Sequence, residues 1–154
     1  MWGMHEKYSE GGPKMMQKHR AYMSHSIRGK LGVNATPESM ATNNVRAHGA
    51  AVLMRRILPE AYFYVPGEHD DLIAILYQDG RLKEKDILWG DCEIIRGCDI
   101  LIAWSPDQYI SEGMWTEIAF ATVNSIPVYI VKDVEELQKL KPEILRYLRG
   151  KNSE

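Results

Sequence analysis

The sequence lacks the features that mark membrane, nucleic-acid-binding and disulfide-stabilised proteins. Its 154 residues include only two cysteines, Cys92 and Cys98, without metal-type spacing, so two reduced thiols are expected rather than a disulfide or a metal site. No apolar run approaches the ~20 residues of a membrane-spanning helix. The formal net charge is -2, and no block of Lys or Arg is present. We therefore expect a cytoplasmic protein that binds no metal, membrane or nucleic-acid polymer.

Two nucleotide-binding signatures are also missing. The chain has neither a Walker-type lysine motif nor a G-x-G-x-x-G fingerprint, which argues against an ATPase or a dinucleotide enzyme. The length favours one domain. We assign residues 1–18, rich in Gly, Met and charge, to a flexible N-terminal extension, and residues 19–150 to a single domain.

What the sequence does contain is an alternation of short apolar runs with longer amphipathic ones. Strands are predicted at 20–25, 61–65, 99–104 and 127–131, and helices at 36–58, 70–77, 83–96, 114–124 and 134–148. With right-handed crossovers, this order predicts an α/β fold: an open, doubly wound parallel sheet of four to five strands flanked by helices, Rossmann-like or flavodoxin-like.

The first long helix has a clear start signal. Thr36 is the expected N-cap, Pro37 occupies the first helical position, and Glu38 faces the positive end of the helix. Its packing stripe is predicted from the apolar spacing along the helix. The expected members of that stripe are Val45, Gly49, Val52, Leu53 and Ile57.

Two loops follow strands at the edge where such sheets bind ligands, at 24–32 and 105–113. In the first, Ser26, Arg28 and Gly29 combine a hydroxyl, a forked cation and a backbone that permits close approach. That combination suits a phosphate or a carboxylate, although a plain polar turn with a surface arginine has the same composition.

Glu117 lies one turn inside the helix that begins at this edge, among apolar neighbours. Burial would raise its pKa, whereas the helix N-terminus and nearby donors would lower it, and the sequence leaves that balance open. A solvated glutamate is the alternative. Asp91 precedes the third strand and either reaches the pocket or lies on a polar helix face. Asp99 opens that strand at the far end and is interpreted as structural.

The stretch 66–71, PGEHDD, is insertion-like. Its expected role is that of a lid or, alternatively, of a pocket for a base. His69 and Asp70 within it have three possible roles: catalysis, metal binding, or capping of the helix that follows. Capping is the favoured prediction, because polar side chains are common at helix starts.

Two motifs together resemble the 2'-deoxynucleoside 5'-phosphate N-hydrolases of the nucleoside 2-deoxyribosyltransferase superfamily. The first is residues 22–29, YMSHSIRG. The second is the apolar strand 98–103, CDILIA, then a Ser-x-Gly loop and a helix with a glutamate four residues after the glycine: Ser111, Gly113 and Glu117. Asp91 falls where the family keeps an aspartate that contacts the sugar. His25 departs from the family, which has a small residue there.

The resemblance implies an enzyme that hydrolyses the N-glycosidic bond of (deoxy)nucleoside 5'-monophosphates. Glu117 would be the nucleophile that attacks the anomeric carbon, and Asp91 would hold the sugar or assist proton transfer. No cofactor is implied, and the assembly would be a homodimer or a higher homo-oligomer. The implied substrate-binding residues are Tyr22, Ser24, His25, Ser26, Ile27, Arg28, Gly29, Ser111 and Gly113. A base-exchanging deoxyribosyltransferase and a non-catalytic nucleotide-binding module remain as alternatives.

Overall fold

The fold is built around four parallel strands. The computed structural model describes residues 18–152, so the extension predicted at 1–18 lies outside the described residues except for Lys18. The strands are β1 (His19–Ser24), β2 (Ala61–Tyr64), β3 (Ile100–Trp104) and β4 (Val128–Val131). They form one sheet in the order β2-β1-β3-β4, with every neighbouring pair parallel. The predicted open parallel α/β sheet is confirmed, with four strands.

Five helices connect and flank these strands. They are α1 (Pro37–Ile57), α2 (Asp70–Gln78), α3 (Glu84–Arg96), α4 (Glu112–Val123) and α5 (Val134–Asn152). The predicted bounds differ by at most two residues, except that α5 continues four residues beyond the predicted end. No helix within residues 18–152 is both long enough and apolar enough to cross a bilayer.

The two faces of the sheet carry separate apolar cores, because successive residues of a strand point to opposite sides. Met23 and Ile102 pack with residues of α1 and α5 on one face. Tyr22 and Leu101 pack with residues of α3 and α4 on the other. β3 is therefore buried on both faces along residues 100–103, as its continuous apolar run predicts.

The start of α1 follows the prediction, but most of its packing stripe does not. Thr36 accepts a hydrogen bond from the Ser39 amide at 3.0 Å, so the N-cap is confirmed. The side chains buried against the sheet are Ala47, Ala51 and Met54. Of the predicted stripe, Ile57 packs partly buried against this core, whereas Val45 and Leu53 are 71% and 44% exposed. Alanines at helical spacing let the helix axis approach the sheet closely, so the smallest apolar residues form the contact.

The sheet order sets where a ligand can bind. β1 and β3 are neighbours, and the chain continues outward from them in opposite directions, to β2 on one side and β4 on the other. In open α/β sheets a crevice forms at this reversal, outside the carboxyl ends of the strands. The loops after Ser24 and Trp104 border that crevice. Asp99 lies at the opposite end, where it binds the Arg20 amide and Lys151, both at 2.8 Å, which confirms its structural role.

Candidate active site

Glu117 is a buried carboxylate at the β1–β3 crevice. Its side chain is 5% exposed. The Ser24 hydroxyl donates a hydrogen bond to Oε1 at 2.8 Å, and the Tyr22 hydroxyl donates a short one to Oε2. Each carboxylate oxygen is thus held by one hydroxyl. The alternative of a solvated glutamate is excluded.

Local sequence explains this placement. Tyr22 and Ser24 are two residues apart on β1, so their side chains point to the same face. Ser111 is the N-cap of α4 and accepts from the Met114 amide at 3.2 Å, which fixes where the helix begins. Glu117 then falls on the buried stripe of α4. Gly113 is the second residue of this helix, and a side chain there would meet only Ser111 Oγ, at 4.0 Å.

Burial decides the balance that the sequence left open. Loss of hydration raises the pKa of Glu117 to about 7, against the hydrogen bonds from Tyr22 and Ser24, which lower it. The negative charge of Asp91 on α3 raises it further, so this aspartate lies close enough to act on the carboxylate. Burial also raises the pKa of the Tyr22 hydroxyl well above 10.0, with Glu117 and Asp91 adding to the effect. At neutral pH, Glu117 is therefore poised between its two charge states.

The loop after β1 forms a tight turn, and its Arg28 side chain pairs with a residue of α3. The Gly29 amide donates to Ser26 Oγ at 2.8 Å, and Asn43 on α1 donates to the Ile27 carbonyl at 2.9 Å. Gly29 has φ +65, which favours glycine. Arg28 is half-buried and pairs with Glu84 at the start of α3, at 3.2 Å. The guanidinium group of Arg28, which we expected to bind a ligand anion, is therefore paired with a carboxylate of the protein.

His25 is buried beneath the turn Pro66–Glu68. Its Nε2 accepts from the Gly67 amide at 3.0 Å, and a side chain at Gly67 would come within 2.9 Å of the ring. Burial lowers the pKa of His25 to about 4, so the ring is neutral at physiological pH. The His25 ring thus binds the backbone of this turn.

His69 does not cap α2, contrary to the prediction. It occupies the N-cap position but makes no side-chain hydrogen bond to the helix. Its ring stacks instead on Tyr64, with centroids 4.6 Å apart, and Tyr64 stacks on Tyr22 at 5.7 Å. The Asp70 side chain lies outside the description. The three rings run from the Glu117 carboxylate to the exposed His69, and no local pattern predicts this because they lie on three separate segments.

A cleft next to the Ser26–Gly29 turn contains cations that the motifs did not single out. Lys30 follows the turn directly, and Asn43 and Arg46 project from α1 three residues apart. A helix carries residues at that spacing on one face, which is the signal that could have identified the pair. Ser26 and Gly29 line the same cleft, whereas Glu117 lies on the other side, among the residues of α3 and α4.

Comparisons with known proteins add no relative. A scan against protein-family models, a search of curated proteins and a search of solved structures each find no match. The fold and the site define a doubly wound parallel α/β protein with a buried carboxylate of raised pKa at the point where the strand order reverses.

Proposed function

We propose that the protein is a hydrolase that cleaves the N-glycosidic bond of (deoxy)nucleoside 5'-monophosphates, with Glu117 as the nucleophile. The observation that supports this most is the setting of Glu117: buried, held by Tyr22 and Ser24, and close to a second acid, Asp91. Buried carboxylates with a strongly raised pKa concentrate at catalytic sites, although structural networks also produce them. The resemblance of the two motifs to the N-hydrolases supports the same assignment.

In the proposed reaction, ionised Glu117 attacks the anomeric carbon of the sugar. The bond between that carbon and the base nitrogen breaks, its electron pair leaves with the base, and a glycosyl ester of Glu117 forms. The departing base takes up a proton. Water then adds to the anomeric carbon and loses a proton, the ester bond to Glu117 breaks, and the carboxylate is restored. Asp91 holds the sugar hydroxyls or assists proton transfer. Tyr22 and Ser24 orient the carboxylate, and their hydrogen bonds keep part of it ionised at neutral pH.

The phosphate end of the substrate is assigned to the turn after β1 and the start of α4. Ser26 offers its hydroxyl proton there, since the Gly29 amide already donates to Ser26 Oγ within the turn. Ser111 and Gly113 lie at the N-terminus of α4, whose dipole favours an anion. Arg28 belongs to this set by the motif, and it would have to leave Glu84 to reach the phosphate.

That ion pair favours the second candidate function. A nucleoside 2-deoxyribosyltransferase exchanges bases on an unphosphorylated nucleoside and needs no cation for a 5'-phosphate, which is consistent with Arg28 paired to Glu84. In this case a second base, rather than water, would attack the glycosyl ester.

Product analysis distinguishes these functions. The protein is incubated with nucleoside monophosphates, in ribo and deoxy forms, and free base is quantified with and without an added acceptor base. Release without acceptor supports the hydrolase, and turnover that requires an acceptor supports the transferase. Tight nucleotide binding with no release at high protein concentration would instead indicate a non-catalytic binding module.

We further propose a cytoplasmic homodimer or higher homo-oligomer. Both cysteines are free and buried, which fits a reducing compartment. Trp89 on α3 and Trp115 on α4 are 68% and 54% exposed, and large aromatic side chains are enriched in protein interfaces. Light scattering coupled to size-exclusion chromatography measures the mass directly, and a monomer at micromolar concentration would contradict this part of the proposal.

A further inference from the structure

The cleft beside the Ser26–Gly29 turn has no part in the proposed bond cleavage. It lies between α1 and the loop that follows β3, at the carboxyl edge of the sheet. Its polar lining consists of the turn residues Ser26 and Gly29, the α1-side residues Lys30, Asn43 and Arg46, and Asp107 on the opposite loop. Trp104, Pro106 and Tyr109 complete the lining. We call this site the α1 cleft.

The polar lining of the α1 cleft carries more positive than negative charge. Lys30 and Arg46 are both exposed, and within residues 18–152 neither forms an ion pair. Arg28 and Arg55, by contrast, are each paired with a glutamate. Among the described residues that line the cleft, Asp107 is the carboxylate, and Lys30 and Arg46 outnumber it. A small polyanion is the ligand that this balance favours.

The wall between the α1 cleft and the turn is held in place. Asn43 ties the Ile27 carbonyl to α1 at 2.9 Å, and a side chain at Gly29 would come within 3.0 Å of Asn43 Nδ2. Ser26 Oγ accepts from the Gly29 amide, which leaves its own O–H to donate elsewhere. Ser26 and Gly29 thus face the cleft while belonging to the turn assigned to the 5'-phosphate.

We propose that the α1 cleft binds the outer phosphates of a nucleoside 5'-di- or triphosphate, which extends the proposed substrate class from monophosphates to nucleotides with more than one phosphate. This inference rests on the proposed function, since the turn would hold the first phosphate and Lys30 and Arg46 those beyond it. A chain of phosphates that leaves the turn on the α1 side enters the cleft directly. Two long cationic side chains match the spread charge of a polyphosphate better than that of one compact anion.

Direct binding of inorganic tripolyphosphate tests the cleft independently of catalysis. Titration calorimetry at fixed, moderate salt compares the intact chain with Lys30→Gln/Arg46→Gln and with Arg56→Gln, which removes an exposed cation from the same helix outside the cleft. We expect the double variant to lose about 30- to 100-fold in affinity, since each charge-assisted contact contributes roughly tenfold. Arg56→Gln should change it less than about twofold, and Asp107→Asn should tighten it by about two- to threefold.

Base release from mono-, di- and triphosphates of the same nucleoside then tests the substrate class. The intact chain should show a lower KM for the triphosphate than for the monophosphate, by about tenfold. In the double variant the two KM values should converge. If the triphosphate is turned over no better than the monophosphate although tripolyphosphate binds, the cleft serves free polyphosphate and the substrate assignment is overturned.

Two further outcomes separate the inference from the proposed function. Absence of base release from every nucleotide, together with tripolyphosphate binding that the double variant loses, rejects the glycosidase and supports the cleft as a polyanion site. Tripolyphosphate binding that is absent, or equally strong in the double variant, overturns the inference whatever the protein does to nucleotides.

Discussion

Two glutamates near the same edge of the sheet have opposite acidities. Burial raises the pKa of Glu117 to about 7, whereas hydrogen bonds from Arg55 lower that of Glu68 to about 2, with a further contribution from His48. Within residues 18–152, Glu117 meets hydroxyl donors and a second negative charge, while Glu68 accepts from both terminal guanidinium nitrogens of Arg55. Burial without a cationic partner therefore keeps one carboxylate poised between charge states, and an arginine partner keeps the other ionised.

Glu68 has a structural role. Glu68 ends the short turn that covers His25, and its bonds to Arg55 and His48 fasten this turn to α1. Gly67 can then approach the His25 ring closely, and His69, one residue further on, stacks on Tyr64. Glu68 thus fixes the turn that precedes the stacked ring of His69, and Glu117 lies at the inner end of the ring stack, bound to Tyr22.

The largest expected effect comes from removing the charge at Glu117. Glu117→Gln keeps the size of the side chain but cannot form the glycosyl ester, so base release should fall by at least about 10³-fold. The matched control is Glu112→Gln, at an exposed position on the same helix, which should retain activity. Circular dichroism checks that both variants fold. Normal turnover in Glu117→Gln would remove Glu117 from the nucleophile role.

The same substitution should stabilise the fold at high pH. The folded-state pKa of Glu117 is raised, so between pH 4.5 and about 7 the folded chain holds a proton that the unfolded chain has lost, and stability falls as pH rises. Glu117→Gln removes this cost, which amounts to about 3 kcal/mol above pH 7. Urea unfolding at pH 8 and pH 4 measures it. A variant less stable than the intact chain at pH 8 would show that burial is not the main influence.

Removing the charge of Glu68 should lower the free energy of unfolding, by less than Glu117→Gln raises it. Glu68→Gln loses the charge that Arg55 binds, and we expect a loss of about 1–2 kcal/mol in unfolding free energy at pH 7, discounted because the pair is partly exposed to solvent. The folded-state pKa of Glu68 is lowered, so its contribution is present above pH 4.5 and disappears as pH falls towards 2. Unfolding at pH 7 and pH 3 checks this, and an equal loss at both values would contradict it.

The smallest effect tests the hydroxyl donors. Tyr22→Phe removes a hydrogen bond that favours ionised Glu117, so the pKa of Glu117 should rise above 7 by roughly one pH unit. Carbon-13 NMR of the labelled carboxyl group follows this without any assay of activity. Ser24→Ala should move the titration in the same direction. A downward movement in either variant would mean that the hydroxyls do not stabilise the anion.

Much of the fold follows from local pattern. Apolar runs and caps placed all four strands and five helices, and Thr36 caps α1 as its sequence predicts. The motifs also directed attention to Glu117, Tyr22 and Ser24, which lie together. The packing stripe of α1 was partly wrong: Ile57 packs against the core, but Val45 and Leu53 are exposed. Ala47 and Ala51 face the sheet since small side chains allow close approach.

The sequence by itself determined the order of the elements, the parallel sheet and the position of a glutamate at its ligand edge, because these depend on residues near one another in the chain. Only the tertiary structure decided the charge state of that glutamate, because burial raises its pKa and hydroxyl groups of Tyr22 and Ser24, more than ninety residues away, lower it. It likewise decided that Arg28 pairs with Glu84, while Lys30 and Arg46 form no ion pair within residues 18–152. Acidity and ion pairing depend on distance in space, which chain spacing does not specify.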